Sequence, residues 1–291
     1  MSKFTIRHET TYDYERPVGF AAQRLLVRPR DSHAIRVWDA RLTLSPPGAT
    51  RWLYDALGNS VCVFTPQGEA PRLAIVSELS IERFPAPLDV RVADPQTATP
   101  IVYAPLDRAV LAPFISPVSA DTDGALLGWL RDHMGGPHEP AVDFLLRLNR
   151  AIHAEFAYEA RDEGDARAPC ETVRLKAGSC RDFAWLMVEA LRTAGYAARF
   201  VTGYLYCSGT EDVRGAGATH AWCEAFLPNL GWTEFDPTNA LAESADLLPV
   251  AVARTPPEAA PVSGQIIGEP GQTQMRVHVD VRRVQSLPEA A

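Results

Sequence analysis

The sequence is poor in cysteine and contains no long apolar run. Only five of the 291 residues are cysteine, and five widely scattered thiols do not suit the disulfide framework of a small secreted protein. No stretch of 18 consecutive apolar residues occurs, so no transmembrane helix is predicted. The first residues, MSKFTIRHETTYDY, lack the apolar segment of a secretory signal. These absences predict a reduced, cytoplasmic protein.

Positive charge is also scarce. The chain has 28 Lys and Arg against 36 Asp and Glu, a formal net charge of −8. An acidic surface repels phosphate backbones and anionic lipids, so we expect neither nucleic acid nor a membrane as a partner. With 46% hydrophobic and 22% charged residues, the chain has the composition of a folded globular protein.

Alternating apolar and polar residues predict β-strands through residues 1–84. Phe4, Ile6 and His8 alternate with polar neighbours, and Gly58-Asn59 lies between two strand-like runs as a hairpin turn would. Strands that recur about every ten residues indicate an N-terminal antiparallel β-sandwich domain.

Two stretches are rich in proline. Seven prolines occur from Pro85 to Pro117 and five from Pro249 to Pro270. Because proline blocks regular elements, we interpret residues 85–120 as an extended linker. Residues 251–291 combine the second stretch with an alternating strand near Met275, and we expect that strand to pair with the N-terminal domain.

Helical spacing begins in residues 121–250, which we predict to be a separate core. Apolar residues recur with helical period within 126–130, 142–156 and 180–194, and strand-like runs follow at 198–206, 218–227 and 232–235. Helices followed by an antiparallel sheet indicate an α+β fold.

Cys180 is placed as a nucleophile would be. Ser179 is a good N-cap and Asp182 lies three residues further on, so Cys180 is predicted in the first helical turn. Unpaired N–H groups and the helix dipole favour a thiolate there. Cys180 shares a helical stripe with Ala184 and Met187, so it faces inward. The alternative is a small buried apolar residue, which is how we interpret the other four cysteines, Cys62, Cys170, Cys207 and Cys223.

His220 is the histidine whose surroundings fit a partner for Cys180. It opens a strand that turns near Asn229 and returns through Asp236. A hairpin centred on Asn229 pairs His220 with Thr238, and Asp236 is then a diagonal neighbour on the same face. An adjacent acid fixes the imidazole tautomer and stabilises the imidazolium. Alternatively, His220 is a hydrogen-bonded structural residue and Asp236 a turn former before proline.

Two segments resemble the transglutaminase-like superfamily: GSCRDFAWLMVEALRTAGYAARFVTGYL, which contains Cys180, and THAWCEAFLPNLGWTEFDPTN, which contains His220 and Asp236. The resemblance spans residues 156–239. It implies a papain-like core with Cys180 as nucleophile, His220 as base and Asp236 as orienting acid. The N-terminal segment is similar to the β-domain that precedes this core in bacterial members. Residues 253–257, ARTPP, differ from the Gly-Arg-Asp-Tyr-like segment that these members often carry there.

Other residues are candidates for supporting roles. The Cys180 backbone N–H is the natural first donor of an oxyanion hole. The Tyr158 hydroxyl is a candidate second donor, with ordinary packing as the alternative. Tyr204 is a candidate for the cleft wall. We expect Trp222 in the core, on the strand face opposite His220.

The predicted chemistry is acyl transfer through a thioester. We favour a cysteine peptidase or amidase that hydrolyses peptide or side-chain amides of a peptide or protein substrate, because no amine channel or calcium loop is evident. A protein-glutamine transglutaminase and a catalytically inactive binding module are the alternatives. A zinc site is disfavoured because no Cys-x-x-Cys pair occurs. We expect no metal and no cofactor, and the sequence leaves the oligomeric state open.

Overall fold

The computed structural model describes residues 2–84, 88, 98–136, 138–161, 164–209, 213–215 and 217–284. Its helices are α1 (Pro105–Ile115), α2 (Ala125–Asp132), α3 (Ala141–Glu155), α4 (Pro169–Leu175) and α5 (Cys180–Thr193). Its strands are β1 (Ser2–Phe20), β2 (Gln23–Leu25), β3 (Ile35–Ser45), β4 (Gly48–Tyr54), β5 (Ser60–Pro66), β6 (Ala70–Arg83), β7 (Ala157–Tyr158), β8 (Ala177–Gly178), β9 (Ala198–Leu205), β10 (His220–Leu227), β11 (Gly231–Asp236), β12 (Leu241–Ala242), β13 (Leu247–Ala253), β14 (Val262–Ser263), β15 (Ile266–Ile267) and β16 (Thr273–Val284).

The N-terminal strands form two antiparallel sheets. One sheet has the order β15-β1-β6-β3, and the other has the order β14-β2-β5-β4. Side chains from β1, β2, β5 and β6 form a common core, in which Phe64 and Leu25 are fully buried. The β4–β5 hairpin turns at Gly58, which has φ 78°, a conformation that glycine adopts without strain. The predicted strand-rich N-terminal domain is confirmed.

The last strand lies in this N-terminal region. β16 pairs antiparallel with β1 over twelve residue pairs, from Lys3↔Val284 to Tyr14↔Thr273. β14 and β15 likewise pair with β2 and β1. The segment after β13 therefore returns to the N-terminal sheet that contains β1. This is the region in which we expected the last strand to find a pairing partner.

The core is a five-stranded antiparallel sheet covered by helices. The strand order is β12-β11-β10-β9-β13, and α5 packs on β10 and β9. α5 is buried along nearly its whole length, with Phe183 and Met187 fully inaccessible. Apolar burial on all sides fixes the start of this helix relative to the sheet, because a close-packed interior resists displacement. Among the described residues, no helix is both long and apolar enough to cross a membrane.

The proline-rich connection differs from the predicted linker. Residues 105–115 form helix α1, which packs on α5 and β9. Pro105 stands at the start of this helix, where a missing N–H costs no hydrogen bond. The interpretation of residues 85–120 as wholly extended was therefore wrong for this part. Residues 85–87 and 89–97 lie outside the described residues. The domain boundaries at 84, 120 and 250 stay predictions.

Candidate active site

The start of α5 positions Cys180 and is itself tightly held. The backbone N–H and the hydroxyl of Ser179 both donate to Asp182 Oδ2, at 2.8 and 3.0 Å. The predicted capping pair is thus present. Cys180 follows as the first residue of α5 and is buried, with 8% of its surface exposed. The thiol lies where the N-terminal N–H groups of the helix are unpaired.

The second oxygen of Asp182 holds a neighbouring loop. Asp182 Oδ1 accepts bonds from Arg161 Nη2 and from the Arg167 backbone N–H, each at 2.7 Å. Arg181 donates to the backbone oxygens of Gly164 and Arg161, at 2.8 and 2.6 Å. The residues on either side of Cys180 therefore hold Arg161, Gly164 and Arg167 in place, and Arg161 and Gly164 line the cavity of the site.

The β10–β11 hairpin has the predicted register. Leu227 pairs with Gly231 and Cys223 pairs with Phe235, which centres the turn on Asn229. His220 and Asp236 come into contact as a result, and His220 Nε2 lies 2.9 Å from Asp236 Oδ2. Both side chains are buried, at 1% and 0% exposure. The even spacing of sixteen residues places the imidazole and the acid on one face.

Asp236 is well supplied with donors. Oδ1 accepts the Thr238 backbone N–H at 2.9 Å, and Oδ2 accepts a bond from Asn239 Nδ2 at 2.9 Å as well as facing His220. Burial raises the pKa of Asp236, but His220 and these donors lower it by a larger amount, so the net pKa lies below its usual value. The acid is therefore an anion beside the imidazole.

His220 favours the protonated form. Burial alone lowers the pKa of His220, but the Asp236 carboxylate and the nearby Cys180 thiol raise it to about 10. Because Nε2 is engaged by Asp236, Nδ1 is the nitrogen left for the thiol. Nδ1 is buried and makes no ordinary hydrogen bond to any residue in the described part of the chain. This geometry suits an imidazolium paired with a thiolate.

Cys180 and His220 line one cavity of about 470 Å³. Arg161 and Arg181 are among its lining residues, and so are Pro256 and Pro257. The two prolines belong to the ARTPP segment, in which the sequence differs from the family that it resembles. The C-terminal segment therefore contributes apolar surface to the cavity.

Tyr158 and Gly215 lie beside His220 in this cavity. A Cβ built on Gly215 would lie 3.0 Å from His220 Nδ1 and 3.3 Å from the Tyr158 hydroxyl. Gly215 also has φ 84°, so a side chain here would be strained as well as crowded. A side chain at position 215 would therefore crowd the imidazole and the tyrosine hydroxyl, and glycine leaves this space open.

Tyr204 lies outside this cavity, contrary to the expectation that it lines the cleft. It shares a face of β9 with Thr202, which does line the cavity, but it lies one step beyond the cavity. Its hydroxyl is 2.9 Å from His8 Nδ1 of β1, and its ring packs against Phe4 and Leu248 in a core shared with the N-terminal sheet. The strand continues past the cavity into the interface with the β-domain, which explains the difference.

Trp222 is fully buried, packed among Val201, Leu205 and Leu247. The expectation that it faces away from His220 was wrong. Residues two apart on a strand share a face, and the His220 and Trp222 rings lie with centroids 6.0 Å apart. Trp222 therefore packs beside the imidazole as well as in the core.

A cluster of potential metal ligands lies elsewhere. Asp121, Asp123 and Cys170 offer ligand atoms within 4.8 Å of one another. Asp121 already accepts the N–H groups of Leu126 and Leu127, at 3.1 and 2.9 Å, and Asp123 pairs with Arg174 at 3.2 Å. The two carboxylates therefore already have partners: Asp121 caps the first turn of α2, and Asp123 forms an ion pair with Arg174.

Sequence reasoning missed Asn239 and Gly215. Asn239 directly follows the Asp-Pro-Thr motif, which could have pointed to a contact with the Asp236 carboxylate. Gly215 has no comparable signal, since its role depends on how the segment before β10 folds back over His220.

Comparison with known proteins identifies two regions of the chain with families that have been described. Residues 4–82 match the family described as the bacterial transglutaminase-like N-terminal region, and residues 129–237 match the transglutaminase-like superfamily. Over residues 129–237 the chain belongs to the transglutaminase-like superfamily.

Individual relatives and a solved structure are also similar to this chain, and some of them are similar over nearly its whole length. An uncharacterized protein of Mycobacterium tuberculosis is 27% identical over 297 residues, covering 96% of this chain and 92% of the relative. A protein-glutamine gamma-glutamyltransferase of Pseudomonas aeruginosa is 31% identical over 124 residues, 40% of this chain and 18% of that protein. The crystal structure of a candidate cysteine protease from Cytophaga hutchinsonii has a TM-score of 0.72 at 20% identity, covering 98% of this chain and 91% of that one. That structure shares the fold.

Proposed function

We propose that the protein is a thiol-dependent acyl-transfer enzyme. Cys180 is the nucleophile, His220 the general base and acid, and Asp236 the residue that orients His220. The observation that carries the proposal is the buried 2.9 Å contact between His220 Nε2 and Asp236 Oδ2 at a cavity that Cys180 also lines. Nucleophile, base and orienting acid are the three parts that covalent acyl transfer requires.

In the first half-reaction the Cys180 sulfur attacks the carbonyl carbon of an amide. A C–S bond forms, and the carbonyl oxygen becomes an oxyanion. The backbone N–H of Cys180 at the α5 start is the proposed donor to that oxygen, with the Tyr158 hydroxyl as a second donor. The His220 imidazolium then gives its proton to the nitrogen, the C–N bond breaks, and the amine leaves a thioester behind.

In the second half-reaction water resolves the thioester. Neutral His220 removes a proton from water as the oxygen attacks the carbonyl carbon. The C–S bond breaks, the carboxylic acid leaves, and the thiolate–imidazolium pair is restored. The net reaction is hydrolysis of an amide to an acid and an amine, with no external oxidant or cofactor in the balance.

A peptide or protein is the proposed substrate. The cavity of about 470 Å³ is in the range that encloses a ligand of small-molecule size, so it accommodates one side chain and its flanking peptide groups. The positive charges of Arg161 and Arg181 in its lining favour a substrate with carbonyl or carboxylate oxygens, and its two prolines favour apolar surface. Peptide bonds and the side-chain amide of glutamine both fit this description.

Transamidation is the second candidate. It is supported by the 31% identity to the protein-glutamine gamma-glutamyltransferase of Pseudomonas aeruginosa, an alignment that covers 18% of that protein. In this version a primary amine replaces water and its nitrogen attacks the thioester, so the product is a substituted amide. The acylation step and the three residues are unchanged.

The first test is the pH dependence of Cys180 alkylation by iodoacetamide, measured by peptide mass spectrometry. We expect Cys180 labelling to persist well below pH 8.5, the value typical of a free thiol, and to lose this low-pH component in His220→Ala. Cys207→Ala is the matched control, because Cys207 is a partly exposed thiol outside the cavity. Labelling of Cys180 that follows an ordinary thiol in both proteins would contradict the proposal and favour an inactive binding module.

The second test separates the two acceptors. A glutamine-containing peptide is incubated with the enzyme, with and without a primary amine. Hydrolysis predicts conversion of glutamine to glutamate or peptide cleavage in both reactions, whereas transamidation predicts incorporation of the amine. Cys180→Ala must abolish every product, since each requires the thioester.

A further inference from the structure

The amide of Asn239 contacts two elements of the site at once. Its Nδ2 donates to Asp236 Oδ2 at 2.9 Å and to the backbone oxygen of Arg214 at 3.2 Å. Its Oδ1 accepts the backbone N–H of Arg214 at 2.9 Å. One side chain therefore satisfies both backbone groups of Arg214 while it donates to the carboxylate beside His220.

Arg214 is held at this position by a second contact. Its Nη1 donates to the backbone oxygen of His153 at 3.1 Å, and His153 Nδ1 lies 2.8 Å from the backbone oxygen of Thr238. Arg214, His153 and the turn after β11 thus form a closed set of hydrogen bonds. Asn239 is the member of this set that also contacts Asp236.

The residue after Arg214 is Gly215, which lies beside the imidazole. A Cβ built on Gly215 would lie 3.0 Å from His220 Nδ1 and 3.4 Å from its Cε1, so there is room for a hydrogen atom here and not for a side chain. Holding Arg214 therefore helps to hold Gly215 next to the ring. Asn239 is thus linked to His220 in two ways, through Asp236 at Nε2 and through Arg214 and its neighbour Gly215.

We propose that Asn239 is a positioning residue of the acyl-transfer site, which fixes the Asp236 carboxylate at Nε2 of His220 and, through Arg214, the neighbouring Gly215 beside the ring. This inference rests on the proposed function. Asn239 does not touch the thiol or the substrate in this scheme; it restricts the rotation of the carboxylate and the tilt of the imidazole. Such restriction matters because small displacements of a catalytic group reduce its rate substantially.

The test is the pH profile of Cys180 alkylation in Asn239→Ala and Asn239→Asp. Asn239→Ala removes one hydrogen bond to a charged group, so we expect about a tenfold lower rate at neutral pH and an acidic limb displaced upward by about one pH unit. Asn239→Asp keeps an acceptor for the Arg214 N–H but sets a second carboxylate against Asp236. We expect a larger loss in this variant because two adjacent carboxylates resist joint ionisation.

Asn149→Ala is the matched structural control. Asn149 is a fully buried amide that donates to the backbone oxygen of Leu241 at 2.9 Å, on the strand next to β11. In the described part of the chain it makes no hydrogen bond to Cys180, His220 or Asp236. We expect lower thermal stability in this variant and an alkylation profile like that of the wild type. A profile shift in the Asn239 variants without one in Asn149→Ala supports positioning.

Two outcomes would overturn the inference, and both differ from a failure of the proposed function. If His220→Ala suppresses low-pH labelling but both Asn239 variants keep the wild-type profile, Asn239 has no positioning role. The same holds if Asn149→Ala shifts the profile as much as Asn239→Ala does, because the effect is then general destabilisation. If wild-type Cys180 itself lacks the low-pH component, the triad proposal has failed instead.

Discussion

The cavity and the interface between the β-domain and the core each bury a histidine, and the two histidines differ in their partners. His220 and His8 are almost equally inaccessible, at 1% and 2% exposure. His220 Nε2 faces the Asp236 carboxylate, whereas His8 lies 2.9 Å from the Tyr204 hydroxyl and 2.9 Å from the Thr10 hydroxyl. Burial lowers the pKa of His8 to about 4, whereas Asp236 and Cys180 outweigh burial and raise that of His220 to about 10.

The difference shows that an anionic partner, and not burial, decides which histidine holds a proton. Burial penalises the imidazolium in both places, and neutral hydroxyls do not offset that penalty. His8 is therefore a neutral link between β1 and β9. His220 can carry the proton that acyl transfer must deliver to a leaving amine.

The largest expected effect comes from removing the charge of Asp236. Asp236→Asn keeps the size of the side chain but gives His220 a neutral partner, as His8 has. We expect the pKa of His220 to fall and the low-pH alkylation rate of Cys180 to drop on the order of 10⁴-fold, which is the loss of turnover that replacing the acid by asparagine causes in a Ser-His-Asp triad. Iodoacetamide labelling measures the rate, and Asn149→Ala is the structural control. A wild-type rate in Asp236→Asn would mean that the carboxylate does not act on His220.

The reciprocal change supplies His8 with an anion. Thr10 is buried and its hydroxyl lies 2.9 Å from His8 Nε2, so Thr10→Asp places a carboxylate beside that ring. We expect the pKa of His8 to move from about 4 to above its ordinary value of 6.5, measured by NMR titration of the ring protons. Thr10→Asn has similar size without charge and is expected to leave the pKa low. Equal values in the two variants would show that packing, and not charge, sets the difference.

The third prediction concerns stability against pH. The folded pKa of His8 is depressed below the unfolded value of 6.5, so the unfolded chain binds a proton first. Stability is then fully present above pH 6.5 and falls as pH drops toward 4. Replacing His8 with Gln removes this component. The free-energy difference between wild type and His8→Gln should change by about 2.5 kcal/mol between pH 7.5 and pH 4.5, measured by denaturant unfolding. A constant difference would contradict a neutral His8.

Sequence could predict the pairing of His220 with Asp236 because this pairing depends on local geometry. The turn at Asn229 and the even spacing to Asp236 determine a hairpin register, and the cap formed by Ser179 and Asp182 determines where α5 begins. Each of these rules acts over a few residues of one hairpin or one helix. The hairpin and the helix start therefore have the predicted positions.

The placement of Tyr204 and of the residues around Asp236 could not be predicted in this way. Tyr204 belongs to a core that forms only when β1 and β9 pack together, residues nearly two hundred positions apart. The contact of Asn239 with Arg214 likewise needs the segment before β10 to fold back on the turn after β11. The helix at 105–115 was missed for another reason, since proline indicates a break within a helix but is favourable at its first position.

The smallest expected effects come from removing single hydroxyl groups. Tyr158 and Tyr204 are both candidates for the cleft from sequence, and we expect their phenylalanine variants to differ. Tyr204→Phe removes the hydroxyl near His8 Nδ1 and should cost about 1 kcal/mol of stability, the usual worth of one buried hydrogen bond. Because Tyr204 lies outside the cavity, Cys180 alkylation and turnover should stay at the wild-type level. Tyr158→Phe should lower turnover, since its hydroxyl lies beside His220 in the cavity. Thermal melts and a turnover assay on both variants check the contrast. A loss of turnover in Tyr204→Phe equal to that in Tyr158→Phe would mean that the β-domain interface acts on the triad and that the two buried histidines are not independent.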